Sequence, residues 1–105
     1  MSLEGDIYRI CSREAGRVAV RMLLESRIYA AHFPGHPVTP GAVLVRMAVE
    51  LLGSPVSGAK EIRFLCPVPP DAQDLVFSYE PLGPDGWSVT IADSRTVCAK
   101  MRLTK

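Results

Sequence analysis

The segment His32-Phe33-Pro34-Gly35-His36-Pro37-Val38-Thr39-Pro40-Gly41 sets histidine on a proline-braced stretch that runs straight into an apolar segment. Histidine changes charge near neutral pH, so His32 is a candidate general base. If the apolar segment is a helix, its first N–H groups have no partner inside it, and its dipole favours negative charge there. A carbonyl oxygen that gains charge during a reaction would be stabilised at such an end. Gly41 has no side chain to block its approach. Together these groups suit abstraction of a proton next to a carbonyl. On residue type alone, a histidine that merely hydrogen-bonds its own loop is the commoner case.

The elements that would position these groups are legible from periodicity. Residues 6–11 (DIYRIC) and 17–24 (RVAVRMLL) alternate polar and apolar and read as two strands of a hairpin, with a turn at Glu14-Ala15-Gly16. Residues 26–39 hold two prolines and a glycine and read as an ordered loop. Thr39 is the expected N-cap and Pro40 the first helical residue. The helix runs over 41–52 and stops at Gly53. It is apolar nearly all round, so it must be wrapped on most sides. Arg46 and Glu50 interrupt it four residues apart, on one face. Strand patterns return over 60–65, 75–80, 87–93 and 96–103, with a proline break at 66–73 and turns at Gly83-Pro84-Asp85-Gly86 and Asp93-Ser94-Arg95. Short turns imply antiparallel neighbours. The expectation is an α+β domain over residues 1–105, an antiparallel sheet of about six strands around one helix. Trp87 and Tyr79 fall in strand patterns and read as core. Arg63, Lys100 and Arg102 alternate outward.

Bulk properties narrow the function classes. The chain has 105 residues, 48% of them hydrophobic, and a net charge of +1. That is one domain, with no basic run suited to nucleic acid. The longest unbroken apolar run, residues 42–45, is far below the roughly 20 residues of a membrane span. The first ten residues lack a signal-peptide pattern. Cys11, Cys66 and Cys98 are odd in number and form no CxxC, so buried free thiols in a reducing cytoplasm are expected, without a metal.

HFPGHPVTPG closely resembles the signature of the bacterial β-hydroxyacyl-acyl-carrier-protein dehydratases. Residues 28–31 (IYAA) fit the aromatic approach to that family's catalytic histidine. Residues 62–77 look like its strand, proline break and next strand, and TVCAKMRL like its last strand. The resemblance implies a hotdog fold and at least a homodimer, with the two sheets paired and each site drawing on both subunits. It implies that His32 removes the C2 proton of a (3R)-3-hydroxyacyl thioester, giving a trans-2-enoyl thioester. The Val38 carbonyl would orient the ring and the Gly41 N–H would hold the thioester carbonyl. Phe33 and Arg46 are counted with them as substrate contacts. His36 varies in type in the family and is given no role. No cofactor is implied, since the phosphopantetheine arm arrives with its partner, an acyl carrier protein. Arg63, Lys100 and Arg102 could meet that partner's acidic surface.

The pattern departs from the family at one position. The family carries an Asp or Glu where this chain has Arg46. Arginine stays protonated and cannot donate and retake a proton, although it can hydrogen-bond a leaving oxygen. It would also keep a nearby histidine neutral. One reading gives the carboxyl role to Glu50, one turn on, with Arg46 positioning it. The other makes Arg46 and Glu50 an ordinary ion pair, worth about 0.3–0.5 kcal/mol if exposed. The expected activity is dehydration in fatty-acid or related lipid or polyketide synthesis. The alternatives are a non-catalytic hotdog subunit that binds acyl thioesters or their carrier, which Arg46 favours, and last a hotdog thioesterase.

Overall fold

The alternating stretches become strands that pair into one sheet. The computed structural model describes residues 3–23, 39–69, 71–94 and 96–105. The elements are β1 (Tyr8–Glu14), β2 (Arg17–Met22), helix α1 (Gly41–Leu52), β3 (Gly58–Phe64), β4 (Leu75–Pro81), a 3-10 turn (Gly83–Asp85), β5 (Gly86–Ala92) and β6 (Val97–Thr104). The named strands all pair antiparallel, and their order is β1-β2-β4-β5-β6-β3. The expected six-stranded antiparallel sheet with a helix is therefore what forms. β1 and β3 are its edges.

Boundaries moved for local reasons. β1 starts later than the alternation suggests because residues 3–8 close a turn, with Ile7 N–H donating to the Leu3 carbonyl at 2.9 Å. It runs on to Glu14 because β2 offers partners that far, past a bulge between Ile10 and Ser12. β3 starts earlier than expected because Gly58 pairs with Thr104 on β6.

α1 buries Leu44, Met47, Ala48 and Leu51, one stripe at helical spacing. The stripe packs into a single core with sheet residues such as Val20, Phe77, Ile91 and Leu103. Each large side chain fully buried there contributes about 1.5–3 kcal/mol. Val43, Val45, Val49 and Leu52 are half-buried, so the complete burial lies on one face. Gly53 ends the helix as expected, in the left-handed conformation at φ 73.

The helix start differs from expectation. Pro40, extended at ψ 142, is the N-cap, and Gly41 is the first helical residue. Thr39 lies one residue too early to cap. Its N–H donates to the Val68 carbonyl at 2.9 Å, tying the helix entry to the segment between β3 and β4. The cysteines also differ: Cys98 is buried, Cys66 is half-buried and Cys11, at the β1 bulge, is exposed. Tyr79 and Trp87 pack against the core as expected, with the Lys105 ammonium 5.5 Å from the centre of the Trp87 ring.

Candidate functional site

The start of α1 is the place where backbone donors, a cavity and a bare glycine coincide. The Pro40 carbonyl accepts from Val43 and Leu44 N–H, at 3.0 and 3.3 Å. By helix geometry the N–H groups of Gly41 and Ala42 have no partner within the helix. No acidic residue occupies the first turn to offset the dipole. A cavity of about 340 Å³ opens here, lined by Thr39, Gly41, Leu44, Phe64, Leu65 and Cys66 among others. Its walls are mostly apolar, which suits a hydrocarbon chain, while the backbone donors suit a carbonyl oxygen.

Gly41 is bare for a visible reason. A Cβ there would lie 2.5 Å from Cζ of Phe64, so the aromatic ring packs where a side chain would project. Phe64 ends β3. Just beyond it, Leu65 and Cys66 N–H share the Cys98 carbonyl at 2.8 and 3.1 Å. That bend carries both residues to the cavity wall. Sequence reasoning read this stretch only as strand and proline break, and missed Phe64, Leu65 and Cys66 as site residues. The available signal was a large apolar pair directly before the break, where a strand leaves its sheet.

His32, Phe33, Val38 and the other histidine, His36, lie outside the described residues. Gly41 stands at the cavity. Arg46 is exposed, and Glu50 is half-buried about 13 Å further along the helix axis. Within the chain, the structure therefore does not bring Glu50 to the Gly41 end. Its Oε1 accepts from Leu3 N–H at 2.9 Å, Glu4 N–H at 3.2 Å and the Tyr8 hydroxyl at 2.7 Å, and its Oε2 from Leu3 N–H at 3.0 Å. The Tyr8 hydroxyl is pushed above the ordinary tyrosine range, by burial first and then by the Glu50 carboxylate it donates to. Burial raises Tyr79 as well, opposed by the Arg13 charge. Its hydroxyl donates to the Ala48 carbonyl at 2.6 Å.

A second cavity, of about 490 Å³, lies at the other end of α1 between Arg13, Leu51, Leu52, Tyr79 and Trp87. There Arg13 Nη1 donates to the Leu51 carbonyl at 2.9 Å, so that helix end is capped by a side chain. Among the described residues, no group of three or more His, Cys, Asp or Glu is placed to hold a metal ion. No described helix is long and apolar enough to cross a membrane.

The family model described as ApeI-like, ApeI dehydratase, matches residues 11–100. No curated protein matches the sequence. Among solved structures, the dehydratase heterocomplex ApeI:P from Xenorhabdus doucetiae superposes with a TM-score of 0.71 at 12% identity, over 96% of this chain and 97% of that one. A mutant thioesterase from Pseudomonas aeruginosa matches with a TM-score of 0.60 at 17% identity, over 92% of this chain and 78% of that one. A protein assigned as a thioesterase from Shewanella oneidensis matches with a TM-score of 0.55 at 16% identity, over 91% of this chain and 80% of that one. At these identities the structural matches establish the fold, which is the hotdog fold.

Proposed function

The chain belongs to the ApeI-like dehydratase family, and from that premise we propose that it removes water from a (3R)-3-hydroxyacyl thioester borne by an acyl carrier protein. The product is the trans-2-enoyl thioester, made for fatty-acid or related lipid or polyketide synthesis. The observation that carries this reading is the apolar cavity at the start of α1, where Gly41 presents backbone N–H and no side chain.

In this reading the thioester carbonyl sits against the Gly41 N–H, with Phe64 and Leu44 beside the acyl chain. Developing charge on that oxygen acidifies C2. His32 takes the C2 proton, its ring oriented by the Val38 carbonyl and Phe33 contributing to the substrate pocket. The C3–O bond breaks, and the hydroxyl needs one proton to depart as water. Two sources balance that step. Either His32 passes on the proton it took, with Arg46 hydrogen-bonding the departing oxygen, or Glu50 of a second copy supplies it. The oligomer is at least a homodimer in this reading. The heterocomplex reported for the Xenorhabdus protein makes assembly with a non-identical partner the competing arrangement.

A second reading is favoured by a specific observation. Glu50 already accepts from Leu3, Glu4 and Tyr8, an arrangement that favours a fixed carboxylate over a proton donor. With Arg46 at the position where the resembled family keeps a carboxyl group, the chain would then bind acyl thioesters without turning them over.

One assay separates these readings. Wild type, His32→Ala and Glu50→Gln are given 3-hydroxyacyl, trans-2-enoyl and saturated acyl thioesters. Water addition or removal lost in His32→Ala is the expected result. Loss in Glu50→Gln as well assigns Glu50 the acid role, while retained activity removes it. Release of free thiol would instead mean a thioesterase. Binding without turnover would leave the non-catalytic reading.

A further inference from the structure

Two of the three cysteines meet beside the cavity at the start of α1. β3 and β6 pair antiparallel as far as Phe64 opposite Ala99. Beyond that pair, Leu65 and Cys66 N–H both donate to the Cys98 carbonyl, at 2.8 and 3.1 Å. Two residues thus oppose one, the count of a β-bulge. Opposed residues of antiparallel strands hold their Cα atoms about 4.5–5.5 Å apart, and a disulfide spans about 4.4–6.8 Å. The backbone therefore sets Cys66 and Cys98 within disulfide reach. Their surroundings differ. Cys98 is 1% exposed, and its thiol donates over 3.7 Å to the Thr96 carbonyl, a weak bond. Burial pushes that thiol above its ordinary value, a backbone hydrogen bond from Asp93 opposes the shift, and the Asp93 carboxylate and Cys66 add to it. Cys66 is half-buried and lines the cavity. Cys98 is thus the inert thiol, and Cys66 the one a small oxidant reaches first. Cys11 stands on β1, at the opposite edge of the sheet from β3.

The pair sits where the cavity wall is fastened to the helix. Cys66 is followed by Pro67, whose ring fixes its own φ. Next comes Val68, whose carbonyl accepts from Thr39 N–H at 2.9 Å. Thr39 leads through Pro40 into Gly41, the first helical residue. A movement at Cys66 is passed along this short, stiff path to the helix start. In the reduced chain, hydrogen bonds to one carbonyl hold the bend to β6. A covalent bond at the same place would hold it far more tightly.

We propose that a hydroperoxide joins Cys66 and Cys98 in a disulfide that latches the wall of the cavity at the start of α1, and that a thiol reductant releases it. In the first step the Cys66 sulfur attacks the peroxide. An S–O bond forms, the O–O bond breaks, and the departing oxygen takes the thiol proton and leaves as water or alcohol. In the second step the Cys98 sulfur attacks the Cys66 sulfur. The S–S bond forms, the S–O bond breaks, and hydroxide leaves with the Cys98 proton as water. The two thiols are oxidised and the peroxide is reduced. The latch does not depend on which ligand the cavity takes, or on turnover. The test uses the full chain carrying Cys11→Ser, an exposed position, so that only the pair can react. Hydrogen peroxide should lower its mass by about 2 Da and give a linked peptide containing residues 66 and 98, and dithiothreitol should reverse both. With Cys66→Ser added, Cys98 should stay reduced under the same treatment. Hydrogen exchange of the Thr39 amide should slow about tenfold or more in the oxidised chain and recover on reduction. Oxidation that stops at sulfenic or sulfinic acid on Cys66, with no linked peptide, overturns the proposal. So does equally fast oxidation of Cys98 in the Cys66→Ser chain, or a linked peptide that leaves Thr39 exchange unchanged.

Discussion

The two ends of α1 are built to opposite plans. At the C-terminal end the backbone and neighbouring groups are satisfied by protein: Arg13 on the Leu51 carbonyl, Tyr79 on the Ala48 carbonyl, Glu50 under Tyr8 and the Leu3 and Glu4 N–H groups, and Gly53 as the left-handed stop. At the N-terminal end, Pro40 caps without a polar side chain, Gly41 is bare and an apolar cavity opens beside it. Side chains that hold the helix to the sheet are concentrated at one end, and groups able to meet a ligand at the other. Substitutions at the two ends should therefore separate stability from function.

The largest effect is expected at the open end. In Gly41→Val the new side chain would enter the space occupied by the Phe64 ring and shift the N–H proposed above to hold the thioester carbonyl. A displacement of about 1 Å can cost about 100-fold in rate, and kcat/KM should fall by about that much. Thermal unfolding should barely change, because Phe64 is half-exposed and its ring can yield. A large loss of stability with unchanged activity would break the comparison. At the closed end the expected loss is one of stability. Glu50→Ala removes the acceptor for the Tyr8 hydroxyl and the Leu3 N–H. Unsatisfied buried donors cost about 1–3 kcal/mol, so a loss near 2 kcal/mol is expected in denaturant titration. Tyr79→Phe removes one hydrogen bond to Ala48 and should cost about 1 kcal/mol.

The legibility of the two ends also differs. Gly53 was readable because a glycine after an apolar helical run has few other uses, and the strands were readable because buried and exposed faces alternate along them. The closed end was largely hidden. Glu50 looked like half of an i,i+4 pair with Arg46, but its partners Leu3, Glu4 and Tyr8 lie more than forty residues away in sequence. Helical spacing carries no information about contacts of that kind. At the open end, Gly41 was found from its position at the helix start, while Phe64, Leu65 and Cys66 were not. Phe64 ends β3, and Leu65 and Cys66 reach the cavity through the bend after it, which depends on a carbonyl of β6. Thr39 falls one residue short of the cap position because the helix starts at Gly41, with Pro40 as its N-cap.

The smallest effect at neutral pH concerns the two tyrosines of the closed end. Tyr8 and Tyr79 are both raised above their ordinary value, chiefly by burial, so the folded chain keeps their protons where the unfolded chain does not. Below the unfolded value, about pH 10, both states are protonated and the contribution is fully present. As pH rises through and beyond that value, the unfolded chain ionises first and stability falls. Each tyrosine still protonated in the folded state contributes a slope of about 1.4 kcal/mol per pH unit. Denaturant midpoints measured between about pH 9 and 12 should therefore drop steeply in wild type and less steeply in Tyr79→Phe. Tyr8→Phe should flatten the curve as well, since it also removes the repulsion that a Tyr8 phenolate would feel from Glu50. Gly41→Val should follow the wild-type curve, because the open end presents no titrating group among these. A Gly41→Val curve that flattened with the tyrosine variants would mean that the two ends unfold through shared contacts, and the division between them would have to be redrawn.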